Sequence, residues 1–239
     1  MHSSLRAVGF VAGGPQAVIG ALLAAIGPTG TLTMPAHTAD RSDPASWVAP
    51  PVPEHWWPGI REHSPPFDPY ATPPERMGAV ATALLLRRDT LRSAHPHLSH
   101  MANGPAAAAV IEPHGLDEGF GDTSPLGRLY ELDATVVLIG VDHGNNTSLH
   151  LAEVRSSWPS KRIVQEGARV LVDGESQWVT FTQTDYDADD FPAVGAAFET
   201  TGPSVEAVRV GQFGSAVAKV MRMRDLVDFA AEWFSANRA

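Results

Sequence analysis

The sequence predicts an α/β fold with a small antiparallel lobe, on three observations. Residues 13–26 have apolar side chains at helical spacing and lead into a short strand at 31–35 that ends at a proline. Residues 134–141 (ATVVLIGV) are a continuous, largely β-branched run, typical of a strand buried on both faces of a parallel sheet. The lobe is predicted by short strand patterns around a turn at Asp173-Gly174, at 162–164, 169–172 and 177–182.

The remaining helices follow from apolar spacing and from turn residues at the helix ends. They are predicted at residues 77–87, 104–110, 147–155 and 215–234. A chain of 239 residues with 44% apolar content is long enough to bury its own core. We therefore predict a single domain over residues 1–239, with a loop insertion at about 40–76 and a second lobe at about 156–214.

The loop at 40–76 contains ten prolines among aromatic residues. Proline at this density disfavours helices and central strands alike, while aromatic side chains favour burial or a ligand. We interpret the segment as an ordered loop that covers a site. The alternative is a surface insertion stabilised by its own aromatic residues.

Composition excludes several classes of function. The chain has no cysteine, which rules out disulfides, thiolate metal sites and a cysteine nucleophile. Its net charge is −10 and its 17 basic residues are scattered, which argues against nucleic acid and favours cationic or neutral small molecules. No leader-like start and no stretch of about 18 apolar residues is present, so we expect a cytoplasmic protein without membrane contact. We expect a monomer or a homodimer.

The strongest candidate for chemistry follows the buried strand, where ligands bind in open α/β sheets. His150 and Glu153 lie three residues apart on the next predicted helix, so the carboxylate can orient the imidazole as a general base. Asp142, at the end of the strand, is the alternative orienting group. The pair also fits a purely structural contact on a helix surface.

Metal and nucleotide chemistry have weaker signals. His143 and His150 lie near Asp142, but the chain lacks H-E-x-x-H, and the acidic run from Asp185 to Asp190 departs from a calcium loop. We predict no metal and interpret the acidic run as a solvated loop or an attractant for a polycation. Ser3, Ser4 and Arg6, followed by a Gly-Gly-Pro helix start, are a candidate phosphate cradle, although no P-loop pattern is present.

Eight segments, in order, resemble the aminoglycoside 3-N-acetyltransferases. They are HSSLRAVG (2–9), GGP (13–15), GTLTMP (30–35), MG (77–78), RSAHPHLS (92–99), FGDTSPLGRLYELDATVVLIGV (120–141), NTSLHLAE (146–153) and RDLVDFA (224–230). The resemblance implies a three-layer α/β/α sandwich with a mixed central sheet. It also implies acetyl transfer from acetyl-CoA to the 3-amino group of an aminoglycoside, which confers antibiotic resistance.

The resemblance further implies roles for individual residues. His150 would deprotonate the attacking amine, and Glu153 would orient the His150 imidazole. Asp142 and Thr147 would flank the thioester. Contacts to the coenzyme would come from His2, Ser3, Ser4, Leu5 and Arg6 near the phosphates, from Ser93 and His95, and from Thr123, Ser124, Pro125 and Leu126 along the pantetheine arm. For the cationic acceptor we predict contacts from Tyr70, Asp142, Glu153 and Asp185.

Stabilisation of the oxyanion is expected from backbone amides at the helix start near Asn145, Asn146 and Thr147. Other interpretations stay open at this point. One alternative is the same acetyl transfer to a different amine. The others are a non-catalytic binder of coenzyme A or of another small molecule, and a metal-dependent hydrolase.

Overall fold

The computed structural model of the chain describes residues 1–38, 41–117, 119–201 and 207–239. The strands are β1 (His2–Ser3), β2 (Leu32–Pro35), β3 (Leu91–Arg92), β4 (His100–Asn103), β5 (Thr135–Ile139), β6 (Ile163–Val172), β7 (Glu175–Thr184), β8 (Val208–Phe213) and β9 (Ala216–Arg222). The helices are α1 (Leu5–Val8), α2 (Gly14–Ile26), α3 (Trp57–His63), α4 (Gly78–Leu85), α5 (Ala107–Ile111), α6 (Pro125–Glu131), α7 (Ser148–Arg155), α8 (Phe191–Thr201) and α9 (Met223–Asn237).

The described strands form three sheets. The largest has the order β1-β5-β9-β8, in which β1 and β5 are parallel and the other pairs are antiparallel. A second, antiparallel sheet has the order β2-β4-β3. The third is a hairpin of β6 and β7, each ten residues long. The predicted α/β class, the mixed sheet and the antiparallel lobe are confirmed.

Alternate side chains of β5 enter two different cores. Val136 and Leu138 pack with residues of α6, α7, α8 and α9, whereas Ile139 packs on the opposite face with Val8 and Ala216. Because successive side chains of a strand point to opposite faces, this division places helices on both sides of the sheet. The three-layer arrangement is thereby confirmed, and β5 is an inner strand of its middle layer.

Two predicted elements differ from the structure. Residues 215–234 were expected to be one helix, but the first part is β9 and the helix begins only at Met223. Ala216–Arg222 hydrogen-bonds to both β5 and β8, and this sheet pairing outweighs the helical apolar spacing. The predicted strands at 162–164 and 169–172 are parts of one longer strand, β6.

The proline-rich segment also contains more regular structure than expected. Trp57–His63 is an α-helix with Pro58 in its first turn, where a missing N–H costs no hydrogen bond. Arg61 on this helix forms a bidentate ion pair with Asp43, at 2.7 and 3.0 Å. Proline at a helix start therefore organises this loop instead of excluding a helix. Within the described ranges, no helix is both long and apolar enough to cross a bilayer.

Candidate active site

The candidate site lies where β5 gives way to α7. Asp142 caps a 3₁₀ turn at His143–Asn145 by accepting the Gly144 N–H at 3.0 Å. Asn146 Oδ1 then accepts the Ser148 N–H at 3.3 Å, at the first residue of α7. Two successive side-chain caps thus set the direction in which α7 leaves the sheet.

His150 and Glu153 are in direct contact on α7, as the sequence predicts. The Nδ1 atom of His150 lies 2.5 Å from Oε2 of Glu153. Because a carboxylate oxygen only accepts, Nδ1 carries the proton, and the lone pair of the neutral ring is at Nε2. Glu153 is fully buried and His150 is partly exposed, so the dyad joins a buried carboxylate to an accessible base.

The second carboxylate oxygen of Glu153 has its own partners. Oε1 accepts from Arg238 Nη1 at 2.7 Å and from the Asp187 N–H at 3.0 Å. Burial by itself lowers the pKa of Arg238, but the hydrogen bonds that it donates to Asp190 and Glu153 outweigh burial and raise the pKa above its ordinary value. A permanent cation therefore faces the buried carboxylate.

Aromatic side chains surround the imidazole of His150. Phe120 lies parallel to it, with ring centroids 4.6 Å apart, and Phe191 lies on another side at 4.8 Å. Tyr186 approaches edge-on at 5.2 Å, and its hydroxyl accepts the Phe120 N–H at 3.3 Å. The ring plane is therefore set by packing as well as by Glu153.

His150 lines a cavity of about 570 Å³. Its walls include the predicted coenzyme-binding segment, namely His2, Ser3, Ser4, Leu5 and Arg6, together with Thr147. The segment is placed there because β1 pairs in parallel with β5, and Ser4 then caps α1 through the Ala7 N–H. The structure thus brings the first residues of the chain and the dyad to one cavity.

The backbone amides at the start of α7 are not free. The N–H of Thr147 donates to His2 Nε2 at 3.2 Å, and the N–H groups of Asn145 and Asn146 donate to carbonyl oxygens within the turn. Local contacts use these amides in this arrangement, and their role in holding the oxyanion stays a prediction. Thr147 itself lines the cavity and carries a side-chain hydroxyl.

His2 is a neutral acceptor in this contact. Its Nε2 atom accepts the Thr147 N–H, so the ring proton is at Nδ1. Burial, above all, lowers the pKa of His2 well below its usual value. His2 therefore links β1 to the start of α7.

Ser93 and His95 lie in a buried histidine cluster instead of the cavity wall. Ser93 Oγ accepts the His100 N–H at 2.9 Å and lies 2.9 Å from His114 Nδ1. His95 Nδ1 accepts two backbone N–H groups at 3.1 Å, and its Nε2 lies 3.0 Å from the Leu116 carbonyl oxygen. These bonds give both residues a structural role in the arrangement described.

Thr123, Ser124, Pro125 and Leu126 form the start of α6. Ser124 caps the helix by accepting the Leu126 N–H at 3.1 Å, and Ser124, Pro125 and Leu126 are buried. The wall of the cavity beside His150 does not include this segment.

Asp142, Tyr70 and Asp185 lie at exposed positions. Asp142 acts as a cap, so Glu153 is the residue that orients His150. Tyr70 is 82% exposed and does not line the cavity beside His150. Asp185 pairs with Arg162 at 3.0 Å and borders two other cavities, of about 560 and 460 Å³.

Two residues of the cavity wall escaped the sequence analysis. His37 follows β2, and its Nε2 is buried without a hydrogen-bond partner among the described residues. Arg76 lies with Arg6 at the cavity, and neither forms an ion pair within the ranges that the structure covers. The position of His37 beyond a strand end was a usable signal, whereas nothing in the sequence marks Arg76.

No group of three or more His, Asp or Glu side chains suited to a metal occurs among the residues whose positions are described. His143 instead contacts Glu199 at 3.0 Å, and Glu199 also pairs with Lys219 at 2.6 Å. Burial, more than these partners, sets the pKa of His143, which is lowered. His143 and His150 therefore contact different carboxylates, Glu199 and Glu153.

Comparison of sequences places these features among known proteins. The family model described as aminoglycoside 3-N-acetyltransferase matches residues 1–235. The SPbeta prophage-derived aminoglycoside N(3')-acetyltransferase-like protein YokD of Bacillus subtilis is 37% identical over 238 residues, covering 99% of this chain and 85% of that protein. Aminoglycoside N(3)-acetyltransferase VII of Streptomyces paromomycinus is 35% identical, covering 97% of this chain and 83% of that enzyme.

Solved structures are similar over the same length. The crystal structure of YokD from Bacillus subtilis has a TM-score of 0.94 at 38% identity and covers 99% of this chain and 86% of that one. AAC-VIa with bound sisomicin has a TM-score of 0.87 at 30% identity, covering 100% of this chain and 91% of that one. The binary complex of AAC-IIIb with CoASH has a TM-score of 0.86 at 29% identity, covering 98% and 88%. The chain belongs to the aminoglycoside 3-N-acetyltransferase family.

Proposed function

We propose that this chain transfers the acetyl group of acetyl-CoA to the 3-amino group of an aminoglycoside, with His150 as the general base. The observation that carries the proposal is the His150–Glu153 contact at the wall of a large cavity that the HSSLR segment also lines. Family membership supports the reaction, and the oriented imidazole supports the assignment of the base.

The chemistry requires a base because an aliphatic amine is mostly protonated near neutral pH and has then no lone pair for attack. The acceptor nitrogen first loses its ammonium proton to solvent and then attacks the thioester carbonyl carbon as a neutral amine. The second proton, which the nitrogen must lose to become an amide, goes to His150 Nε2. The C–S bond then breaks, and the coenzyme A thiolate leaves and takes up that proton. The products are an amide and free thiol, without a covalent enzyme intermediate.

The cavity has groups suited to the coenzyme. Arg6 and Arg76 line it without carboxylate partners among the described residues, which suits phosphate groups. Met34 and Met77 supply apolar wall for the pantetheine arm. The complex of the related AAC-IIIb with CoASH supports the same co-substrate here.

The acceptor is a polycation, and the protein is acidic. Its net charge of −10 favours encounter with cationic ligands through long-range attraction more than through final affinity. Sisomicin bound to the related AAC-VIa supports an aminoglycoside as acceptor. Acetylation removes one positive charge from such a molecule, which is the chemical basis proposed for antibiotic resistance.

The test is thiol release from acetyl-CoA by the purified protein across a panel of aminoglycosides, with mass spectrometry of the products. We expect a gain of one acetyl group on the 3-amino nitrogen. If only simple monoamines are acetylated, the assignment of an aminoglycoside as the acceptor is wrong. Binding of coenzyme A without turnover on any amine would contradict the proposed function.

A further inference from the structure

Glu153 is a fully buried carboxylate that lies between His150 and a cation. A buried charge without a partner is costly, and a carboxyl group in that position tends to become neutral. A neutral Glu153 would no longer hold the Nδ1 proton of His150 as a pure acceptor. The cation is Arg238, at 2.7 Å from Oε1.

Arg238 is itself held on several sides. Its guanidinium donates to both oxygens of Asp190, at 2.6 and 2.8 Å, and to the Asp187 carbonyl oxygen at 2.7 Å. Its planar group also lies over the ring of Phe234, 4.1 Å from the ring centroid. Such a bidentate and stacked arrangement suits arginine and would not be reproduced by lysine.

The position of Arg238 is coupled to α7 through the backbone. Arg238 follows α9 directly, and its N–H donates to the Phe234 carbonyl oxygen at 3.0 Å. Ser156, just after α7, also contacts α9, because its Oγ lies 3.2 Å from the Ala231 carbonyl oxygen. The residue after α9 thereby reaches the carboxylate on α7 with little freedom of movement.

We propose that Arg238 is a positioning residue for the transfer reaction, which holds the Glu153 carboxylate aimed at His150 so that the imidazole presents Nε2 as the base. This inference rests on the proposed role of His150. It extends the dyad to a relay of Arg238, Glu153 and His150, in which Asp190 and Asp187 fix the guanidinium.

The kinetic test compares Arg238→Ala with Arg222→Ala. Arg222 is the last residue of β9, next to the start of α9, and its exposed side chain pairs with Asp133. Its removal therefore deletes an ion pair away from the site. We expect Arg238→Ala to lower kcat by roughly tenfold to a hundredfold, part of the about 10²- to 10⁴-fold that a positioned base contributes. The KM for acetyl-CoA should stay within about twofold, and Arg222→Ala should keep the wild-type kcat.

Two further measurements separate positioning from general stability. Added guanidinium should restore part of the kcat of Arg238→Ala, because the cavity of about 560 Å³ next to Arg238 has room for the free cation. Arg238→Lys and Asp190→Asn remove less packing, and each should lower kcat by less than Arg238→Ala does. Equal kcat losses in Arg238→Ala and Arg222→Ala, or a loss in Arg238→Ala that guanidinium leaves unchanged, would overturn the proposal.

A spectroscopic readout keeps this inference apart from the identity of the acceptor. Imidazole ¹⁵N spectra of histidine-labelled protein should place the His150 proton on Nδ1 in the wild type, with the signal assigned by its loss in His150→Gln. In Arg238→Ala the proton should redistribute between the two nitrogens. An unchanged Nδ1–H form would reject the relay even if the enzyme acetylates aminoglycosides, and a changed one supports it even if the acceptor proves to be another amine.

Discussion

The imidazole of His150 lies parallel to the ring of Phe120, with ring centroids 4.6 Å apart and planes inclined by only 4°. Glu153 fixes the ring within its plane through Nδ1, and Phe120 fixes the plane itself. The direction of Nε2 is therefore set by two independent contacts. A base that already points in one direction loses little conformational entropy when the acceptor amine arrives.

Replacement of His150 by glutamine should abolish most acetyl transfer. We expect kcat to fall by about 10²- to 10⁴-fold, because glutamine keeps a polar group but cannot take the proton from the amine. Binding of coenzyme A, measured by calorimetry, should change little, since Arg6 and the rest of the cavity wall are untouched. Turnover close to that of the wild type would remove His150 from the mechanism.

Phe120→Leu should affect both stability and turnover. Phe120 is 2% exposed, and the shorter leucine leaves a small void and loses the ring contact with His150, which together cost about 1 to 3 kcal/mol. A looser imidazole should lower kcat severalfold with little change in KM. Urea unfolding and steady-state kinetics test this pair of effects, and a destabilised variant with unchanged kcat would show that stacking does not orient the base.

The dyad could be predicted from the sequence because both residues lie on one helix at fixed spacing after a buried strand. The partner Arg238 could not, since it lies 85 positions from Glu153 and meets it only through the packing of α7 against α9. Residues 215–222 were misassigned for a related reason. Their strand state depends on hydrogen bonds to β5 and β8, which no local pattern contains.

The coenzyme contacts of Ser93 and His95 stay predictions, but the hydrogen bonds that these residues make within the protein were not foreseen. Their motif marks a segment that the structure uses to build a buried polar cluster, and hydrogen-bond satisfaction inside that cluster cannot be inferred from spacing. Likewise, the amides at the start of α7 looked available until His2, 145 positions away, was found to accept from Thr147. Both sets of hydrogen bonds join segments that are distant in the sequence.

The buried histidines should make the protein sensitive to acid. Burial lowers the pKa of His97 to about 4 and that of His114 to about 3. Since the unfolded chain binds these protons near pH 6.5 and the folded chain does not, stability is complete above pH 6.5 and is lost as the pH falls from there towards 4 and then 3.

The expected loss between pH 7.5 and pH 5 is about 2 kcal/mol for each histidine that stays neutral in the folded state. Urea unfolding at these two pH values measures the loss. His97→Gln should reduce the difference by about that amount, whereas His55→Gln, at an exposed position, should leave it as in the wild type. A stability that is flat over this range would contradict the assignment of neutral, buried rings.

Charge at the acidic loop should affect polycationic acceptors selectively. Asp187 and Asp190 hold Arg238, so the informative change is limited to Asp185→Asn with Asp189→Asn, at residues that do not contact the relay. We expect kcat/KM for a polyamine acceptor to fall severalfold at low salt, and less for a monoamine, because the attraction scales with ligand charge and is screened by salt. Equal effects on both acceptors, or none, would assign this loop to the solvated surface.

Gly195→Ala should destabilise the fold and disturb the start of α7. Gly195 lies on α8 against the turn after β5, and a Cβ atom there would lie 2.1 Å from Cγ of buried His143. The displaced imidazole would strain the turn that leads into α7, at a cost of about 1 to 3 kcal/mol. Because this strain would shift His150, kcat should fall as well.

Gly20→Ala is the matched control. Gly20 also lies in a helix, and a Cβ atom there would meet nothing within 4 Å, so alanine should add up to about 1 kcal/mol of stability. Thermal unfolding of both variants should move in opposite directions, and a Gly195→Ala protein as stable as Gly20→Ala would contradict the tight packing of α8 on His143.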